Sequence, residues 1–61
     1  MIRFNDLEGN SWTFIKNNIS LIHTSQPDQE GISRVSVTTI DGTSYSFKVN
    51  CNEENWVSEC G

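Results

Sequence analysis

The segment LEGNSWTF (residues 7–14) returns 33 positions later as IDGTSYSF (residues 40–47). Gly, Ser and Phe recur at matching positions, while Glu is exchanged for Asp, Trp for Tyr and Thr for Ser. The correspondence ends with Asn17 against Asn50. An acid followed by Gly is a turn signal, and an aromatic, a small polar residue and Phe in succession give a strand whose alternate side chains share one face. A chain that writes this device twice is built from hairpins, and the register of each can be tested, because a one-residue slip sends every side chain to the opposite face.

With Leu7-Glu8-Gly9 as a three-residue loop and Gly9 in the left-handed conformation, Phe4 falls opposite Trp12 and Ile2 opposite Phe14, all on one face. The same loop at Ile40-Asp41-Gly42 sets Val37 opposite Tyr45, Val35 opposite Phe47 and Ser33 opposite Val49. A two-residue loop at Glu8 and Gly9 would pair Phe4 with Thr13 and Arg3 with Phe14, mixing apolar and polar side chains on both faces. The three-residue loop is therefore preferred. The reverse side of the second hairpin is then polar throughout: Arg34, Ser36, Thr38, Ser44, Ser46 and Lys48.

Alternation elsewhere predicts strands at 2–6, 11–16, 19–25, 32–39 and 43–50. A two-residue turn at Asn17 and Asn18 would pair Phe14 with Leu21, Trp12 with His23 and Lys16 with Ile19. This gives a three-stranded meander over residues 1–25, a loop at 26–31 within the polar SQPDQEG segment, and a hairpin at 32–50. In that register Ile15 and Ile22 stand as diagonal neighbours on the otherwise polar reverse face of the meander. The tail reads as a short helix over 52–60. Asn52 serves as N-cap, Glu53 and Glu54 lie in the first turn, and Cys51 and Trp56 have the spacing of a hydrophobic staple. Trp56 and Cys60 lie four apart on one face, Gly61 ends the turn, and so short a helix must dock on the sheet through Trp56. The expected fold is a single mainly β domain (1–61), a five-stranded antiparallel rolled sheet or small barrel with a short C-terminal helix.

A chain of 61 residues lies near the lower limit at which a core supports itself without a disulfide, a metal or a partner chain. Eight acids against four Lys and Arg give net charge −4, which disfavours direct contact with nucleic acid or an anionic membrane. No basic head with an apolar run opens the sequence, so a cytoplasmic location is expected and the Asn18-Ile19-Ser20 sequon is read as accidental. Cys51 and Cys60 are then expected as reduced, mostly buried thiols. Their spacing lacks the tight knuckle of structural zinc motifs, and the register places the single His23 beside Trp12 on a sheet face rather than beside a thiol. Phosphate-cradling Gly loops and nucleophile elbows are missing from the sequence. The turn acids Asp6, Glu8, Asp28, Glu30 and Asp41 read as solvated. The expectation is a protein with no catalytic residues, no cofactor and no metal.

The order of signals, from LEG with an aromatic three residues on, through an Asn-rich turn, ISLIH and QPD, to DG with Tyr45 three residues after Gly42, resembles the FlbD family of small flagellar-operon proteins. The likeness spans residues 7–49. Glu8 stands where the family has Asn, extra residues follow Pro27-Asp28, and the tail with Cys51, Trp56 and Cys60 differs from the family's acidic-aliphatic helix. The resemblance implies a flagellar accessory role and carries over no site residues.

The residues themselves point to a non-enzymatic acidic binding module that works as a homo-oligomer. Ile15 and Ile22 are its expected interface, and Trp12, His23 and Tyr45 line the expected ligand site near the hairpin ends. A different class is a virus-encoded inhibitor that blocks a host protein or sequesters a small ligand.

Overall fold

Both copies of the repeat close the hairpins that the register requires. In the first, the Asp6 N–H donates to the Asn10 carbonyl (3.0 Å) and the Gly9 N–H to the Asp6 carbonyl (3.4 Å). In the second, the Thr39 N–H donates to the Thr43 carbonyl (2.9 Å) and the Gly42 N–H to the Thr39 carbonyl (3.0 Å). Gly9 and Gly42 have φ of +85° and +89°, the left-handed conformation that this turn demands and that a Cβ would penalise.

The computed structural model describes residues 1–59. Six strands are present among them: β1 (Ile2–Asn5), β2 (Ser11–Phe14), β3 (Ile19–Thr24), β4 (Ile32–Thr39), β5 (Ser44–Asn50) and β6 (Val57–Glu59). They form two three-stranded antiparallel sheets, ordered β2-β1-β6 and β3-β4-β5. Ile2 lies opposite Phe14 and Phe4 opposite Trp12 in the first sheet. Ser33, Val35 and Val37 lie opposite Val49, Phe47 and Tyr45 in the second. The chain is mainly β as expected, but the single five-stranded sheet is replaced by two sheets that do not close into a barrel.

The division arises at Asn17 and Asn18. A two-residue hairpin turn there would need positive φ at both, and no non-Gly residue described here has one. Lys16–Asn18 instead form a turn of 3-10 helix, with the Asn18 N–H on the Ile15 carbonyl (2.9 Å), and the chain leaves β2 for the other sheet. There β3 pairs with β4, and the expected pairing of β2 with β3 does not form. A third copy of the Gly turn makes this pairing local. The Asp28 N–H donates to the Ile32 carbonyl and the Gly31 N–H to the Asp28 carbonyl, both at 3.0 Å, with Gly31 at φ +83°. The segment at 25–31, expected to separate two units, thus joins two paired strands.

Ile19 lies opposite Thr39 and Leu21 opposite Thr38, so β3 carries one extra residue, Ser20, in a bulge. The bulge sets both Ile19 and Ile22 toward the core, where they pack against its buried side chains, and leaves Leu21 outside, 60 % exposed. Ile22 stands directly opposite Val37 and His23 opposite Ser36. Ile22 is therefore not on the reverse face with Ile15, as the meander register required, but on the core face of the other sheet.

The expected helix over 52–60 is also absent. Residues 51–56 turn and bend, and β6 pairs with the free edge of β1, with Val57 opposite Phe4 and the Asn5 N–H on the Trp56 carbonyl (3.0 Å). A helix of this length has little stability of its own, whereas an open edge beside β-branched Val57 offers a full ladder. Trp56 still docks: its ring stacks on Phe4 at 6.4 Å between centroids. The Cys60 end of the expected helix lies outside the described residues.

The core between the sheets consists of Phe4, Phe14, Val35, Val37, Phe47 and Val49, with Ser33 buried among them. The Cys51 thiol is half-buried and donates to the Ser33 hydroxyl (3.3 Å), which satisfies the one buried polar side chain of this layer.

Candidate functional site

The two hairpins meet where the edges of β2 and β5 face each other. Trp12 stacks on Phe47 (5.0 Å, 10°), and Phe14 meets Tyr45 edge-on (5.6 Å, 62°). The aromatic of each copy of the repeat thus contacts the Phe of the other, and a 6.2 Å contact between Trp12 and Tyr45 completes the set. No strand pairing joins β2 to β5, so this aromatic seam stays open and carries a recess at either end.

The larger recess, a cleft of about 360 Å³, lies where the β1–β2 turn reaches the β5 edge. The Leu7 N–H donates to the Lys48 carbonyl (3.0 Å) and holds the turn there. Asp6 organises the turn from within. One carboxylate oxygen accepts the N–H groups of Glu8 and Asn10, both at 2.9 Å, and the other accepts the Trp12 indole N–H at 2.8 Å. The indole bond, with the backbone donors behind it, holds the Asp6 carboxyl below its usual range, and it fixes the plane of the ring that walls the cleft.

Arg34, Ser46 and Lys48 also line the cleft, from β4 and β5. Arg34 and Lys48 are direct cross-strand partners on β4 and β5. Among the described residues the ion pair formed is that of Lys16 with Glu59 at the far end of the first sheet, and neither cation of the cleft shares in it. The cleft therefore brings Arg34, Lys48 and Ser46 together with an aromatic wall and with Glu8 and Asn10.

The smaller recess, about 310 Å³, is mostly apolar in surface and lined by Phe14, Ile15 and Tyr45 together with Thr13, Asn18 and Thr39. Ile15 is 58 % exposed and Tyr45 38 %. The Ile40 N–H donates to the Asn18 carbonyl (2.8 Å), which brings Ile40, 68 % exposed, to the same end of the molecule.

Of the residues that the sequence grouped, the structure keeps Trp12 and Tyr45 in contact across the seam and places His23 and Ile22 away from theirs. Trp12 lines the cleft, Tyr45 and Ile15 line the groove, Ile22 faces the core, and His23 stands exposed on the outer face of the second sheet. Sequence reasoning had Arg34 and Lys48 on a polar face without seeing a site. Their like-charged register was the available signal, since like charges directly opposite on a sheet are destabilising. Among the described residues no three His, Cys, Asp or Glu side chains converge to hold a metal ion, and no helix is long and apolar enough to cross a membrane. No protein-family model, curated protein or solved structure matches the chain.

Proposed function

We propose that the chain is a small non-enzymatic binding module that acts as a homo-oligomer, associating through the end that carries Ile15, Ile40 and Tyr45. The observation that carries this reading is the exposure of Ile15 and Tyr45 along one mostly apolar groove, with exposed Ile40 brought to the same end of the molecule by its backbone bond to Asn18. Single exposed apolar residues are ordinary on a monomer, but a cluster beside an apolar recess leaves water-exposed area that a second copy would cover. Among the described residues the buried core comprises six apolar side chains, so association would add materially to burial. Ile22, turned inward, has no part in this interface.

Size-exclusion chromatography with light scattering tests the proposal. The wild type is expected at a multiple of its 6.9 kDa chain mass, and Ile40→Asp at the chain mass itself. A wild type that elutes as a monomer at high micromolar concentration would overturn it. The alternative of an inhibitor that holds a small ligand draws support from a different feature, the polar cleft at the other end of the seam.

A further inference from the structure

Arg3, Lys16, Arg34 and Lys48 are all the Lys and Arg the sequence holds, and two of them occupy one cleft as direct cross-strand partners. Opposed like charges cost stability, and a chain with an excess of acids had ample means to neutralise them. The Asp6 carboxylate in the same cleft is directed elsewhere: its oxygens accept the Glu8, Asn10 and Trp12 donors, and it forms no ion pair with either cation. The strand positions of both cations are tied down. The Arg34 carbonyl accepts the Ser25 N–H (3.0 Å), the Ser25 hydroxyl accepts the Arg34 N–H (2.9 Å), and the Lys48 carbonyl is held by the Leu7 N–H. Such fixed placement lowers the ordering cost of capturing a ligand.

We propose that Arg34 and Lys48, lining one cleft with the Asp6-locked indole of Trp12, form a receptor for a small ring compound bearing a carboxylate. Arg and Lys supply donors of the kind that charge-assisted hydrogen bonds to an oxyanion require, and the indole backed by Phe47 supplies the apolar wall. The cleft volume of about 360 Å³ falls within the range of small-molecule sites. Charge decides between oxyanions. Asp6 and Glu8 line the cleft along with the two cations, so its net charge is near zero and it favours a monoanion over a phosphate dianion. The cleft shares no lining residue with the Ile15 groove, so the receptor goes beyond self-association and does not require it.

Amide and indole NMR spectra of the full chain, titrated with benzoate, phenyl phosphate and benzyl alcohol at pH 7.5, provide the test. Benzoate is expected to shift the Trp12 indole N–H and the Ser46 and Lys48 amides saturably, phenyl phosphate to bind several-fold more weakly, and benzyl alcohol to leave them unmoved. Arg34→Gln and Lys48→Gln are each expected to lose tenfold or more in benzoate affinity, while Lys48→Arg retains it and shows that the site tolerates substitution. Glu8→Gln should improve phenyl phosphate more than benzoate. Equal response to benzyl alcohol, indifference to both Gln variants, or tighter binding of phenyl phosphate than of benzoate would overturn the assignment. Repeating the titration on Ile40→Asp separates the two proposals, since unchanged benzoate shifts there support a receptor independent of association.

Discussion

Replacing Gly31 by Ala should cost distinctly more than the same change at Gly9 or Gly42, although the three occupy equivalent places in the same kind of turn. All have φ between +83° and +89°. Left-handed backbone costs a residue with a Cβ about 1–2 kcal/mol. The lost freedom of the unfolded chain returns about 0.4–1 kcal/mol of that. At Gly9 and Gly42 nothing lies within 4 Å of the added Cβ, so a net loss of about 1 kcal/mol is expected there. At Gly31 the Cβ would sit 2.4 Å from Asn52 Nδ2 and 2.9 Å from its Cγ, and the amide must swing away. That movement gives up the bond from Nδ2 to the Glu30 carbonyl (3.4 Å). The added penalty is roughly 0.5–1.5 kcal/mol, bringing Gly31→Ala to about 2 kcal/mol. For a domain of this size that is a fall in Tm of roughly 10 °C against roughly 5 °C for the other two. Urea and thermal unfolding followed by tryptophan fluorescence would measure the difference, and a cycle with Asn52→Ala would locate it. Equal losses at Gly9 and Gly31, or an excess at Gly31 that persists in Asn52→Ala, would refute the contact as its cause.

The bulge at Ser20 makes Ile22→Ala the more damaging of two neighbouring changes. A loss of about 1–3 kcal/mol is expected for the half-buried Ile22, against less than about 0.5 kcal/mol for the exposed Leu21, and denaturant midpoints in the reverse order would restore the meander register. Asp6 governs an acid response. Its carboxyl is held below the ordinary 3.8 by the Trp12 indole first, so its contribution is intact above 3.8 and is lost as pH falls through the lower folded value. The Trp12 indole N–H resonance should accordingly titrate with a midpoint under 3.8 and lose that titration in Asp6→Asn, and a midpoint at or above 3.8 would be incompatible with the bond.

The hairpins were legible because each is decided within about fifteen residues. Gly9 and Gly42 mark the left-handed position, and alternation then admits one register that gathers Phe4, Trp12 and Phe14, or Val35, Tyr45 and Phe47, on one face. The third turn was written as plainly, since DLEGN and DQEGI share Asp, Glu and Gly at the same spacing. Its Pro and its acids suggested a connector instead. What could not be read depends on events distant in sequence. An extra residue such as Ser20 leaves no trace in the alternation of a short strand, yet it reverses which of Leu21 and Ile22 is buried. Residues 57–59 are too few to show a period, and the open edge of β1 decides their conformation. The cleft follows the same logic: Arg34 and Lys48 form a row in the legible hairpin, but they share a cleft with Trp12 only once Leu7 bonds to Lys48 across the seam.

Self-association through one end of the seam is tested most directly by amide NMR spectra over a dilution series. The account predicts concentration-dependent shifts at Ile15, Asn18, Ile40 and Tyr45, with Arg34 and Lys48 unmoved. Spectra that do not change from millimolar to low micromolar concentration with the relaxation of a monomer would contradict it, as would changes centred on any other surface.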